Sequence, residues 1–499
     1  MPHAVYIAWG FPPSRSGGVY RQLATANALA RAGWDVTVIT VERRVFSDIT
    51  GADESLEAMI DDRVRVIRSR FPWSLRDQNQ AHWSFLHRRF PRLWRKARTA
   101  FELAIFPEVG YATWPRQIGR ELRRLAQEGP IDLVLASGNP FAGFAAAYRF
   151  HRASGTPYVL DYRDSWTLDQ FSGQARPDPG GRAAAWERRV TSQAAQVWFV
   201  NRATAQWHAA RYPAVADRIR VVPNGWDPDL LDLAVLDDPA PQVPATTKPT
   251  SSEPATTEPA SSLLDDAAPQ VPATTEPASA KPASSEPASS AGSPLSQPGT
   301  TLTFGYLGTI SAKVPVKQLV DGFRLAKLEG LIPPDARLRI AGYLGYFGSV
   351  RQTAKDPVAQ LIDQAKADGV ELTGPVPKMR VAEFYASLDA LVLAIDAGPY
   401  VTTGKVFEYA ATGKPIVSVH PPDSDASEVL AGYPLWAPVE AVTTQAIAAA
   451  FGRAAVLVRD SVPGLTSAAR RYGAAFTRQR QLGPAIDGLA SLVEPPTKA

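Results

Sequence analysis

The sequence predicts an α/β protein built from two doubly wound, Rossmann-like domains that face each other across a cleft. Three observations predict it. The chain has 499 residues, 45% of them hydrophobic, more apolar material than one compact core takes up. Strand-like and helix-like segments alternate in two separate series along it. Between the series lies a stretch, 237–300, rich in Pro, Ala, Ser and Thr and without an aromatic residue. Such a stretch cannot bury enough apolar surface to offset its ordering entropy, and it is expected to be a disordered interdomain insertion.

The first series, residues 1–236, opens with a strand (AVYIAWG), a Gly/Pro/Ser loop (FPPSRSGG), a helix (YRQLATANALARAG) and a second strand (WDVTVIT), which together make one βαβ unit. The alternation continues through IDLVLAS, AGFAAAYRFHRASG, PYVLDYRD, QVWFVN and RIRVVPNG. The insertion holds a near-repeat, DDPAPQVPATTKP from Asp237 and DDAAPQVPATTEP from Asp265. Neither copy has a hydrophobic face, so it reads as a duplicated linker and not a folded repeat. As a flexible coil of about 60 residues it spans on the order of 45 Å. The second series, residues 301–463, runs TFGYLGTI, VKQLVDGFRLAKLEG, RLRIAGY, a helix around Pro357 to Asp368, VELTG, AEFYASLD, ALVLAI, KVFEYAATG and PIVSVH. The remaining stretch, 464–499, reads as helical, with a return to the first domain as one course open to it. Ligands of such sheets bind outside the carboxyl ends of the strands, so two sheets face to face create a site between them.

Composition removes several function classes. A formal net charge of +4 is slight for this length and does not call for a nucleic-acid partner. The absence of cysteine excludes disulfides, thiolate metal sites and cysteine nucleophiles. The opening apolar run, Ala4 to Trp9, lacks a preceding basic region and reads as a strand, not a signal peptide. No uncharged apolar stretch reaches about 18 residues, the length a spanning helix needs. The expected location is cytoplasmic.

The segment most suggestive of chemistry is GPYVTTGKVFEYAATGKPIV, Gly398 to Val417. A small, hydroxyl-bearing loop that enters a helix presents unpaired N–H groups at the positive end of the helix dipole, which suits a diphosphate. Thr402, Thr403 and Gly404 occupy those positions. Lys405 adds a cation on the first turn, and Glu408 stands one turn later, where a carboxylate accepts hydrogen bonds from ribose hydroxyls. An ordinary capped helix with a surface Lys and Glu is the other reading of the same spacing.

This segment resembles the nucleotide-sugar signature of glycosyltransferase family 4, in which a phosphate loop runs into a helix that ends an E-x7-E motif. Glu408 matches the second glutamate, which in that family holds the nucleotide ribose. The first position is Tyr400, where the family has a glutamate on the donor sugar. Three further stretches resemble the family. WGFPPSRSGGVYRQLATANALARAGWDVTVIT matches its opening strand and glycine loop, so the resemblance sets Gly17 and Gly18 close to the donor phosphates or acceptor. VVPNGWD, with Asn224, Gly225 and Asp227, matches the end of the first domain, and LTGPVPKMRVAEFYASLDALVL matches the segment on the base, which sets Gly374 and Val376 near the ring. A plain strand-to-helix turn is the alternative for Gly17 and Gly18 taken alone. The resemblance implies a GT-B fold and a retaining, metal-independent transferase moving a hexosyl unit from a UDP- or GDP-sugar to a sugar or lipid-linked acceptor. No cofactor beyond the nucleotide sugar is expected, and cell-surface glycan or glycolipid synthesis is the expected setting.

Where the family places an Arg and a Lys to neutralise the leaving diphosphate, this chain has Thr309 and Val314. The departing group develops negative charge in a dry cleft and needs a preorganised cation. Lys313, Lys317 and Lys405 are the candidates, with Arg15 and Arg21 available from the first domain, where these two and the acids Asp161 and Asp164 are also the expected acceptor contacts. A solvated surface charge is the other reading of Lys313 and Lys317. Arg163 stands where many relatives carry a histidine, flanked by Asp161 and Asp164. Arg163 is expected to bind phosphate or acceptor hydroxyls while held by both acids; a structural ion pair at a strand end is the alternative. The D-x-D pairs Asp227/Asp229 and Asp423/Asp425 read as loop acids, and no metal is expected.

Residues 85–106 form a basic amphipathic segment, with Trp94, Ala97, Phe101 and Ala104 at helical spacing and Arg92, Arg95, Lys96 and Arg98 nearby. Two readings stand: peripheral contact with the inner face of the membrane, or an apolar stripe packed on the domain beneath a solvated basic face. Two other functions also remain open, a catalytically silent sugar-nucleotide-binding scaffold and a UDP-sugar epimerase of the same fold.

Overall fold

The computed structural model describes residues 1–71, 83–178, 180–236, 301–345, 357–460 and 463–493. The expected linker, 237–300, lies outside the described residues.

Each series folds as a parallel sheet with helices on its faces. In the first domain the strands are β1 (His3–Ile7), β2 (Asp35–Val41), β3 (Val64–Ser69), β4 (Leu133–Gly138), β5 (Tyr158–Tyr162), β6 (Gln196–Phe199) and β7 (Ile219–Val221). They lie in the order β3-β2-β1-β4-β5-β6-β7, every pair parallel. The second domain holds β8 (Thr303–Leu307), β9 (Arg337–Ala341), β10 (Val370–Gly374), β11 (Ala390–Ala394), β12 (Ile416–Val419) and β13 (Trp436–Pro438). Their order is β10-β9-β8-β11-β12-β13, again parallel. In both sheets the order reverses beside the opening strand, between β1 and β4 and between β8 and β11. Those are the switch points at which doubly wound sheets open a crevice.

The strands form where apolar residues run continuously, because helices cover both faces. Ala4, Val5, Tyr6 and Ile7 of β1 and Leu391, Val392, Leu393 and Ala394 of β11 are all buried. On one face of the second sheet, Phe304, Phe323 and Phe451 meet edge to face at 4.8–6.2 Å between ring centres, an arrangement that suits the ring quadrupoles.

Chain termination signals decide two details. The basic segment expected as one helix is two, Phe85–Arg89 and Pro91–Ile105. Pro91 starts the second helix and pushes Phe90 out of the helical region, to φ −137° and ψ 65°. The C-terminal stretch packs against the first domain. After a helix at Pro463–Ala474 the chain forms a bridge between Thr477 and Trp226, with Trp226 N–H donating to Phe476 O at 3.0 Å and Arg478 N–H to Trp226 O at 2.8 Å. The following helix, Arg478–Asp487, sends Leu482 and Ile486, with Leu489 just beyond, into the core that contains Tyr6, Val36 and Trp198. Gly225 permits this crossing, since a Cβ there would stand 2.4 Å from Phe476 O and 2.9 Å from Arg478 N. No helix among the described residues is long and apolar enough to cross a membrane.

Candidate active site between the domains

The helix Gly404–Thr412 is anchored by Val406, Phe407, Tyr409, Ala410 and Ala411, all buried. Three-residue spacing then puts Lys405 and Glu408 together on its remaining face. Thr403 caps the helix, its hydroxyl accepting from Lys405 N–H at 3.3 Å. The Glu408 carboxylate is fully engaged: Oε1 takes Lys378 Nζ at 3.0 Å, and Oε2 takes Lys405 Nζ at 2.8 Å and the Tyr385 hydroxyl at 2.9 Å. Lys405 also donates to the Tyr385 hydroxyl at 3.1 Å. Burial works to raise the Glu408 pKa, but the charges of Lys405 and Lys378 and their hydrogen bonds outweigh it, so the group sits well below the ordinary carboxylate range. Burial lowers the Lys405 pKa, against the pull of Glu408.

The first domain closes on this cluster. The Lys378 ammonium lies 5.1 Å from the centre of the Tyr20 ring, close enough for cation–π attraction. Arg478, carried back on the C-terminal helix, feels the charges of Asp227 and Glu408, while burial lowers its pKa. Beside the helix N-terminus, the Thr402 hydroxyl donates to Asp425 at 2.5 Å and accepts from Asn201 Nδ2 at 3.0 Å. Asn201 is itself a helix cap, its Oδ1 accepting from Thr204 N–H at 2.8 Å. The Tyr400 carbonyl accepts from Gln170 Nε2 at 2.9 Å and from Thr204 Oγ1 at 3.4 Å. Thus the loop expected to receive a diphosphate is tied to the opposing domain through its backbone.

Several of the candidate residues make contacts across the domain boundary. Lys313 reaches across it, 4.5 Å from the centre of the Phe171 ring. Arg15 spans it as well, donating to the Tyr343 hydroxyl at 2.5 Å. Gly17 borders open space. Arg163 lies directly over Gly18, where a Cβ would stand 2.3 Å from its Nη1. Gly374 ends β10 at φ +73°, a left-handed position that favours glycine, and Val376 follows it at the margin of the second core.

Three expectations are corrected. Arg163 pairs with Asp164 at 2.6 Å but not with Asp161, which binds Arg21 at 2.7 Å. Arg21 and Asp161 are buried, and Arg21 also donates to the carbonyls of Val222 and Pro223. A charge pair satisfied in this way props up the site floor and has no surface for an acceptor. Lys317, one turn beyond Lys313, points outward and pairs with Asp321 at 2.6 Å along its own helix. Of the D-x-D acids, Asp425 serves Thr402, and among the described residues no three His, Asp or Glu side chains converge as a metal cage. Sequence reasoning missed Lys378, Tyr385, Asn201 and Gln170. Lys378 stands four residues after Gly374 in a stretch already read as a nucleotide contact, but nothing in its spacing points to Glu408.

A comparison with curated proteins finds no match. Among solved structures the fold is similar to a glycosyltransferase from Rickettsia africae, at 13% identity and TM-score 0.59 over 99% of each chain. It is also similar to sucrose-phosphate synthase from Thermosynechococcus elongatus, at 14% identity and TM-score 0.57 over 98% of this chain and 100% of that one. A third likeness is to a UDP-N-acetylglucosamine 2-epimerase from Listeria monocytogenes, at 10% identity and TM-score 0.50 over 98% and 96%. The glycosyl transferase 4-like domain model matches residues 16–225 and the glycosyl transferases group 1 model residues 301–456. With about three quarters of its length accounted for by that pair, the chain belongs to the group-4-like glycosyltransferases of GT-B fold.

Proposed function

We propose that the protein transfers a hexosyl unit from a UDP- or GDP-sugar to a sugar or lipid-linked acceptor, with retention and without a metal or further cofactor, in the synthesis of a surface glycan or glycolipid. The observation that carries this reading is the Glu408 carboxylate on the first turns of the helix, held ionised by two lysines and a tyrosine hydroxyl. Ribose hydroxyls are the groups that a carboxylate in this position binds, and their arrival releases ammonium groups toward the diphosphate. The N–H groups at Thr402 to Gly404 and the start of the helix hold the phosphates. Lys405, Lys378 and Lys313 supply the cations for which Thr309 and Val314 provide no substitute.

In the reaction the bond from the anomeric carbon to the diphosphate breaks, its electron pair going to the leaving phosphate oxygen. The acceptor hydroxyl adds on the same face and passes its proton to that oxygen, so no protein base is needed. Arg163, with Gly17, Gly18 and Asp164, faces the acceptor or the phosphates from the first domain. Closure of the gap excludes water.

A donor panel tests this. The matching nucleotide sugar raises the melting temperature, and nucleotide is released only when acceptor is present. Tyr400, at the position of a sugar-binding glutamate, favours one other reading, a binding scaffold, which binding without turnover across the panel would support. Release of free epimerised sugar without acceptor would identify an epimerase.

A further inference from the structure

The helix pair Phe85–Arg89 and Pro91–Ile105 does not lay its apolar stripe on the domain. Along the second helix only Glu102 is fully buried, pinned by Arg98 at 2.9 Å and by Gly110 N–H. Arg182 holds the end of the helix by donating to Ala104 O at 2.8 Å, and Phe106 then enters the core against Trp166 and Trp186. Trp94 is half-buried, stacked on His87 at 3.8 Å. The opposite face is apolar and open to solvent. Phe85 is 78% exposed, Leu86 62%, Leu93 67% and Phe101 51%, with Phe90 and Leu103 also exposed. Ala97, Ala100 and Ala104 continue the same ridge, four or three residues apart, and they too are exposed.

Large apolar side chains grouped in this way mark an interaction surface. The charges around them choose the partner. Arg88, Arg89, Arg92, Arg95 and Lys96 are all exposed, and the single acid of the two helices, Glu102, is buried and paired. A second copy of the chain would bring the same positive charge to the contact. We infer that this face docks on an anionic lipid surface, the apolar ridge sinking among the acyl chains near the headgroups while the cations meet the lipid phosphates. The inference goes beyond the transfer reaction and stands on the helix pair alone, although it would bring the gap near an acceptor held in a membrane.

Sedimentation of the full chain with vesicles tests it. The protein binds phosphatidylcholine vesicles that contain phosphatidylglycerol, does not bind phosphatidylcholine alone, and is released by salt. Each Lys or Arg near an anionic surface strengthens partitioning about fivefold, so Arg92→Ala with Lys96→Ala weakens it about 25-fold. Leu93→Glu with Phe101→Glu abolishes it. All four positions are exposed, so melting temperature holds in both variants, and any shift produced by a nucleotide sugar without vesicles is the same as in the unaltered chain. That second measurement reports on the transfer reading separately. Absence of binding to the anionic vesicles, or binding unchanged in both variants, overturns the inference. So does a dimer on gel filtration that the apolar variant breaks, or capture by polyglutamate without capture by vesicles.

Discussion

Glu408 is the residue on which the site turns. Its three partners hold the charge in place without ligand, so Glu408→Gln removes both the charge proposed to bind ribose and the counter-charge that keeps Lys378 and Lys405 together. Hydrogen bonds to charged groups contribute about 1.5–3 kcal/mol, so donor affinity is expected to fall by roughly 10–100-fold, read by titration with the donor that gives a thermal shift. Asp425 makes a prediction in pH. Burial, partly offset by the Thr402 hydrogen bond, pushes its pKa up to about 6 from an ordinary 3.8. A carboxyl raised on folding adds stability below its unfolded value, and that stability is lost as pH rises from about 4 through about 6. Asp425→Asn removes this loss, on the order of 1–3 kcal/mol, and flattens the melting-temperature profile across that window. A profile as steep as the parent's would show that Asp425 is not the group responsible.

At the scale of elements, two glycines separate two kinds of constraint. A methyl at Gly18 meets the end of the long Arg163 side chain, whereas one at Gly225 meets backbone on the returning segment, Phe476 O and Arg478 N. The side chain can swing aside and the backbone cannot. Gly18→Ala is therefore expected to leave the melting temperature nearly unchanged while moving Arg163 and lowering kcat/KM. Gly225→Ala is expected to cost about 1–3 kcal/mol, as overpacking does, and to loosen the C-terminal crossing. Thermal denaturation of the two variants distinguishes them; equal losses would contradict the assignment. The strands β1, β4, β8 and β11 were legible in the sequence, since continuous apolar runs act locally; the break at Phe90 was not read there, although Pro91 imposes it by a local rule. Lys378 and Asn201 were not legible, because each acquires its role from a partner in another element, 30 and 201 residues away.

At the scale of the molecule, the relation between the domains is set by folded contacts. The Trp226–Thr477 bridge, the burial of Leu482, Ile486 and Leu489 in the first domain, and the bonds from Gln170 and Asn201 to the Tyr400–Thr402 loop all cross between halves. A protease site introduced in 237–300, a stretch whose composition favours disorder, should therefore yield two fragments that elute together on gel filtration and keep the donor-induced thermal shift. Fragments that separate would show that the linker, and not these contacts, holds the halves together. Gln170→Ala, which removes the bond to the Tyr400 carbonyl and leaves the Asn201 cap in place, tests the same contacts, with a few-fold rise in donor KM and a nearly unchanged melting temperature as the expected result.

The amino-acid sequence by itself determined the class of fold, the two domains, the helix bearing Lys405 and Glu408 and the basic apolar segment, because periodicity, capping and composition act over a few neighbouring residues. Tertiary structure alone decided that Arg21 and Asp161 lie beneath the site, that Lys317 turns away, that Lys378 and Tyr385 join Glu408, and that the ridge from Leu93 to Ala104 is left open to solvent. Each of those outcomes depends on which surface of an element meets another, and that is settled only when distant segments pack together.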